Sequence, residues 1–436
     1  MSDVQSLGNA RQRGAATLVI VMVLFFIMAM MAAYANRNLI FEQRIASNYY
    51  RSGVGLEAAE AGSEWALGML NGLNINAACT GSGNPTSSFR ERYLGMDSGS
   101  RTLSPLVASA TSASCVRIAA AQDAQGGWTC QCPAGGWAAA NVAPAAQMQP
   151  SFHISFEPAA RPGVVRLISH GCTGSQSDVC QTQQGAANAQ LLGGATVRVE
   201  AALISALKMP PAMPLVVKQT ITDGTGALGL HNSDPRSSGL LLQTGGSVAD
   251  LSTDRLDSLP GTPGQQALLG DDQQFRDQAS DLMFAQYFGM PPAQYKSQPA
   301  MRSIPCTEGS DCSTALLAAF NQGMRMIWVD GPLTLSSNVT LGSAALPLSP
   351  LVIVANGPVT ITGPLILNGL LYVRGNLDWS NTSGHPALVN GAVIAEGNLL
   401  AAGRVDMRYH AGIMDALRNA TGSFVRVPGS WWDQDK

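Results

Sequence analysis

The chain has 436 residues, of which 13 % are charged and 46 % hydrophobic, and its net charge is −3. That balance lacks the basic footprint of a nucleic-acid binder, so no nucleic-acid contact is expected. The 46 glycines and 24 prolines suit a turn-rich, mostly β protein rather than a helical one.

From Ala15 to Ala35 no residue is charged, and only Thr17 is strongly polar. That is about the length a helix needs to cross a bilayer core. Arg11 and Arg13 precede the run, while Arg37, Glu42 and Arg44 follow it. Basic residues upstream keep the amino end in the cytoplasm and send the bulk of the chain out. Two processing routes compete. Ala33-Tyr34-Ala35 offers a signal-peptidase-like site, and release before Asn36 would leave a soluble periplasmic protein. Against this, the helical pattern runs on past Ala35 without a breaker. Ile45, Tyr49, Leu56, Ala59, Ser63, Ala66 and Leu70 recur at helical steps, and no proline appears before Pro85. A single helix from about Thr17 to about Leu70 would be roughly 80 Å long. A cleaved signal has no need of that continuity. Gly53, Gly55 and Gly62 weaken the second half and allow a local kink.

"QRGAATLVIVMVL", "EQRIASNYYRSG" and "EAAEAGSEWAL" resemble, in that order, the N-terminal region of PilX-like type IV pilus minor pilins. The resemblance spans Arg11 to about Leu70. It implies a prepilin leader over 1–14, cleavage by a prepilin peptidase between Gly14 and Ala15, and methylation of the new terminus. It also implies a helix over 15–72 that sits in the bacterial inner membrane before assembly, with the bulk periplasmic, and in the filament core afterwards. The partners it implies are the major pilin, other minor pilins and, at the tip, an adhesin. One departure carries mechanism. Major pilins usually have a glutamate at the fifth position of the mature chain, and here that position is Val19. A buried amino-terminal ammonium needs a counter-charge, and that glutamate supplies it across subunits. A subunit lacking the carboxylate is best tolerated at a filament end. PilX-like subunits share the lack, which implies a place at the pilus tip on the cell surface.

The eight cysteines are Cys79, Cys115, Cys130, Cys132, Cys172, Cys180, Cys306 and Cys312. No C-x-x-C pair or histidine cluster accompanies them, so disulfides are expected after an export segment. Cys172 with Cys180 and Cys306 with Cys312 are near enough to close small loops. Cys130 and Cys132 are too close for an easy mutual bridge and are expected to reach back to Cys79 and Cys115, in a pairing left open. Residues 73–207 read as the β head. "PSFHISFEP", "GVVRLISHGC" and "GGATVRVEAALI" alternate as antiparallel strands do, and 79–147 read as a long disulfide-pinned loop region.

"KMPPAMP" marks a boundary at Lys208 to Pro214. Beyond it, over 208–436, the short apolar runs that begin with Val352-Ile353-Val354 and end with Leu377 to Trp379 step by six or seven residues, and runs at Leu333 to Leu335, Val339 to Leu341 and Ala392 to Ala395 extend the pattern. Gly or Asn fill the gaps, as at Asn356-Gly357, Gly363, Asn368-Gly369 and Gly375-Asn376. Such a pattern predicts the stacked coils of a β-solenoid, with a meandering antiparallel sheet as the alternative. A helical insertion is expected from about Asp271 to Phe288, and a second short helix after Cys312. The fold class is therefore α+β: a long N-terminal helix, an antiparallel β head and a solenoid-like C-terminal domain.

Few motifs point to chemistry. Gly224 to Gly229 satisfy G-x-G-x-x-G, but Asn232, Asp234 and Pro235 follow where a helix would have to open. Ser205 to Lys208 match S-x-x-K without companion motifs. His153, His170, His231, His385 and His410 are scattered, so no metal or cofactor site is expected. Asp254 with Asp257, or Asp271 with Asp272, could in principle serve a β-helix glycosidase or lyase, but nothing in the sequence brings a pair together across the required gap, and the latter read more simply as charges at a helix start. No catalytic residue is assigned. The reading is a type IV pilus minor pilin that is not an enzyme. The alternatives are a membrane-tethered solenoid enzyme acting on polysaccharide and a signal-cleaved periplasmic protein.

Overall fold

The computed structural model describes residues 13–82, 87–106, 113–118, 127–135, 138, 140, 148–177, 193–249 and 251–433. Its first element is the helix α1, Arg13–Leu70, with 58 residues and hence a length on the order of 87 Å. Every residue from Ala16 to Tyr50 is exposed, whereas beyond Arg51 one face turns inward. Ala59, Ala66 and Leu70 are fully buried there. The glycines that weaken this half on propensity do not interrupt it. Gly62 lies so close to the sheet beneath that a Cβ would stand 2.3 Å from Ser169 Oγ and 2.8 Å from the Phe152 ring. Its job is close approach, not bending.

That sheet is the head. Its six strands run in the order Gly422–Arg426, Gly194–Ser205, Val164–Cys172, Ser151–Pro158, Ala113–Arg117, Trp128–Gln131. All neighbours are antiparallel. The three central strands are those the alternation predicts. The outer two correct the expectation that 79–147 is loop. Ala113–Arg117 and Trp128–Gln131 are too short and too rich in small polar residues to show a period, yet Cys115 stands directly opposite Cys130 in their ladder. A helix, Phe89–Tyr93, also forms in this region, its first turn closed by Glu91 Oε2 accepting from the Ser88 amide at 2.8 Å.

Gly422–Arg426 changes how the chain divides. Read as one C-terminal unit, 208–436 would stay clear of the head. Instead Phe424 pairs with Leu203 and the strand completes the head sheet. The chain leaves the head at Ser205, builds the second body and comes back. A five-residue strand carries no local mark of which sheet it will join.

The second body is a β-solenoid with parallel neighbours throughout its two long sheets. The broad sheet runs Met301–Pro305, Met326–Asp330, Leu351–Ala355, Ile366–Val373, Ala387–Ala395, Val405–Arg408, Leu228–His231, Leu256–Asp257. The narrow one runs Leu333–Leu335, Val359–Ile361, Leu377–Ser380, Leu399–Ala402, Ile221–Asp223. The coils are not stacked in chain order: Leu399, late in the sequence, pairs with Ile221, the first narrow strand. The chain enters the stack one coil from an end, completes that end with Leu256–Asp257, travels outside to the far end on the helices Gln273–Asp277, Ser280–Phe288 and Pro292–Lys296, and winds back. The expected Asp271–Phe288 insertion is thus broken into two helices and extended by a third. The helix expected after Cys312 is Ser313–Asn321, and Leu316 and Ala319 seal an end of the solenoid core.

Packing explains the two sheets' different patterns. The broad sheet is buried on both faces. Ile327, Val329, Ile353, Leu371 and Val393 fill the coil interior, while Trp328, Val354, Leu370, Tyr372 and Ile394 lie under the outer helices. Phe284 meets Tyr372 edge to face at 5.1 Å. Such strands read as continuous apolar runs. In the narrow sheet, Thr360 and Leu400 face solvent between buried neighbours, which gives alternation.

Asn368-Gly369 also departs from expectation. It is not a gap between strands but lies inside Ile366–Val373, stacked on Asn390-Gly391 of the next coil. Asn390 Nδ2 donates to Asn368 Oδ1 at 2.8 Å. Gly391 has φ 142°, and a Cβ there would fall 1.9 Å from the Gly369 carbonyl oxygen. The six- or seven-residue step therefore measures one side of a coil, whereas a full coil is the interval from Ile366 to its partner Leu388.

Candidate assembly interface

The exposed part of α1 is the largest apolar surface on the described chain. Leu18, Val19, Ile20, Phe25, Phe26, Met30, Met31 and Tyr34 are all more than half exposed, Phe25 to 71 %. A soluble monomer does not leave such a surface open to water. Among the described residues, α1 is the one helix long and apolar enough to cross a membrane. The first charge after the run, Arg37, lies over the Phe41 ring at 5.7 Å. Val19 is 58 % exposed on this surface. Gly14 and Ala15 fall within the first turns of the helix, while residues 1–12, including Arg11, lie outside the described residues.

The packed half of α1 is held to the head by more than apolar contact. Glu64 pairs with Arg426. At the helix end, Asn71 bonds the backbone of Phe424 in the returning strand. Helix, sheet and C-terminal strand therefore form one unit from which the apolar half projects.

The cysteines resolve as follows. Cys79 bonds Cys132 with Cα atoms 5.2 Å apart, Cys115 bonds Cys130 at 4.1 Å, and Cys306 bonds Cys312 at 5.8 Å. Cys172 is disulfide-bonded, and Cys180 lies outside the described residues. The Cys79–Cys132 bridge is reinforced by Arg92, which donates to the carbonyls of Asn76, Cys132 and Ile75.

The motifs weighed for chemistry fall into structural places. Gly224 to Ala227 form the turn between Ile221–Asp223 and Leu228–His231, the latter strand taking up Leu228 and Gly229, with no helix opening there. Ser205 ends a head strand. Asp272 caps the helix Gln273–Asp277, accepting from the Phe275 amide at 2.9 Å. His153 and His170 stack at 5.2 Å, and burial, with His170 beside it, pushes His153 down to about 3. His410 accepts from the Ile413 amide at the start of Ala411–Asn419. His385 lends its carbonyl to Asn381 Nδ2.

His231 is the exception, because three coils converge on it. Its Nδ1 lies 2.6 Å from Asp257 Oδ2 and its Nε2 3.0 Å from Asp406 Oδ1. Arg255 also pairs with Asp406. Burial works to raise the Asp406 carboxyl, but the His231 hydrogen bond and the Arg255 charge prevail and hold it below its ordinary value. Asp257 belonged to a weighed carboxylate pair, yet Asp254 does not join it. Sequence reasoning missed this cluster because the coil order brings residue 406 beside 231. Both ring nitrogens face carboxylates from neighbouring coils, so the cluster ties the coils together. Among the described residues, no group of His, Cys, Asp or Glu could hold a metal ion.

Comparison with known proteins agrees with the helix. Residues 13–64 match the family described as PilX N-terminal, so α1 is similar to the N-terminal helix of type IV pilin-like proteins. The match covers the helix and leaves the head and solenoid outside it. Among solved structures the chain is similar to the crystal structure of competence-associated pilin ComZ from Thermus thermophilus, at 11 % identity and a TM-score of 0.24, covering 89 % of this chain and 97 % of that one. A likeness that slight carries no argument. No curated protein matches the chain.

Proposed function

We propose that the protein is a type IV pilus minor pilin, a structural and interaction subunit at or near the pilus tip that primes assembly with other minor pilins. The single observation that carries this reading is α1. Its apolar half stands free over a length that fits a bilayer, its second half is locked to a β head, and its sequence matches PilX N-terminal regions. Cleavage between Gly14 and Ala15 would leave the subunit in the inner membrane until the same surface is transferred to a filament core. Val19 supports the tip position. A buried ammonium without a counter-charge costs several kcal/mol, so a subunit that cannot neutralise its neighbour's terminus is disfavoured within the shaft. The solenoid, inserted between two strands of the head, is then carried outward at the filament end, where it would meet a tip adhesin or an external surface.

The test is quantitative blotting of sheared filaments. The wild-type protein should be scarce in them, its deletion should sharply reduce pilus number, and Val19→Glu should allow incorporation along the shaft. Wild-type protein distributed along the shaft at the level of a major subunit would contradict the tip position.

A further inference from the structure

Three arginines meet where head and solenoid join. Arg90 comes from the helix Phe89–Tyr93, Arg302 from the strand Met301–Pro305 and Arg325 from the residue before Met326–Asp330. All three line one small polar cleft, whose walls are completed by Asn71, Gly323 and Gly422. Arg90 is only 8 % exposed. Each side chain is anchored by main-chain carbonyls. Arg90 Nη1 donates to Gly422 at 3.0 Å, Arg325 Nη1 to Phe320 at 2.8 Å, and Arg302 Nη2 to Asn71 at 2.8 Å. These contacts fix the guanidinium groups but neutralise none of them.

The charges are poorly compensated. None of the three arginines forms an ion pair among the described residues. The Glu91 charge acts on Arg90 and Arg325 without an ion pair to either, and its Oε2 accepts from the Ser88 amide and hydroxyl, both at 2.8 Å. Burial lowers Arg90 and Arg302. Burial also lowers Arg325, to about 10, with Glu91 opposing the shift and Arg90 adding to it. Anchored guanidiniums with spare N–H donors around a polar cleft have the chemistry of an oxyanion receptor.

We propose that this cleft binds one small oxyanion, held by Arg90, Arg302 and Arg325, and that the bound anion braces the joint between head and solenoid. Such a site does not depend on the pilus reading. The anion is either a free inorganic one such as phosphate or sulfate, or a carboxylate presented by another protein, and the two share the same recognition.

The test uses the full chain in detergent, followed by thermal unfolding at constant ionic strength set with sodium chloride. Inorganic phosphate, sulfate and acetate are titrated separately. The wild type should show a saturable rise in Tm with at least one of them. Phosphate or sulfate acting alone assigns a free inorganic anion, and acetate acting at lower concentration than either assigns a carboxylate. Arg325→Gln should raise the half-saturating concentration at least fivefold, whereas Arg236→Gln on the exposed surface should leave it unchanged. Calorimetric titration of the wild type with the same anions should give one site per chain, so the proposal stands or falls even if Arg325→Gln does not fold. No saturable shift in the wild type, no calorimetric site, or an unchanged midpoint in a folded Arg325→Gln would overturn it and leave the arginines as plain structural ties.

Discussion

The Asn71 side chain pairs with the backbone of Phe424 as a neighbouring strand would. Its Nδ2 donates to the Phe424 carbonyl at 2.8 Å, and its Oδ1 accepts from the Phe424 amide at 2.8 Å. The end of α1 is thereby fastened to the strand with which the chain returns to the head. Removing the amide would orphan a buried N–H and a buried carbonyl, each costing about 1–3 kcal/mol. Asn71→Ala should therefore destabilise the protein by about 2–4 kcal/mol, measured by denaturant unfolding. Asn71→Asp should not restore it, because a carboxylate faces the Phe424 carbonyl. A loss below about 0.5 kcal/mol for Asn71→Ala would show that the returning strand is held without this pair.

The helix glycines separate by what lies beneath them. At Gly53 a Cβ would meet nothing within 4 Å, whereas Gly62 sits against Ser169 and Phe152. Gly53→Ala should be neutral or stabilising by up to about 1 kcal/mol. Gly62→Ala should destabilise by about 1–3 kcal/mol through overpacking. Equal effects in thermal unfolding would mean that the helix does not rest on the head as described.

Inside the solenoid, Gly391→Ala should be among the most damaging single changes. The new methyl would meet the Gly369 carbonyl at 1.9 Å, on a backbone with φ 142°. Loss of cooperative unfolding, or a cost above about 3 kcal/mol, is expected. Gly81→Ala, with open space around it, provides the control.

The disulfides should differ in weight. Peptide mapping without reduction should recover Cys79–Cys132, Cys115–Cys130 and Cys306–Cys312. The first spans 53 residues and the last 6, so chain-entropy arguments give about 4 kcal/mol against about 2 kcal/mol. Finding these thiols free in protein isolated from the cell envelope would contradict the assignment.

Acid should loosen the clip at His231. The Asp406 carboxyl is held below its ordinary value in the folded protein. It therefore contributes stability above the unfolded carboxylate pKa of about 3.9, and loses it as pH falls through the depressed folded value. Asp406→Asn should lower stability at pH 7 and flatten the acid limb of the stability profile. An unchanged acid limb would remove Asp406 from the account.

Much of this architecture was legible in the sequence, because local patterns report local facts. The apolar run and the spacing from Ile45 to Leu70 specify one helix, and alternation marks the three central head strands. Runs such as Leu351 to Ala355 mark the solenoid. What stayed hidden is set by pairing across long stretches of chain. Nothing near Ile221 says that it will stack on Leu399, and nothing near Phe424 says that it will rejoin the head. Asn368-Gly369 looked like a turn because those residues usually make one, but here Gly tolerates the close approach of a neighbouring coil. The His231 clip and the three-arginine cleft are invisible for the same reason, since each gathers residues from distant segments.

The central claim is that the N-terminal helix is kept whole and processed at its start. The measurement that tests it most directly is the mature N-terminus, determined by mass spectrometry on protein from the native envelope. The account predicts a chain beginning at methylated Ala15, with Gly14→Val blocking its appearance. A mature chain beginning at Asn36 would discard the apolar half of α1 and contradict the pilin reading.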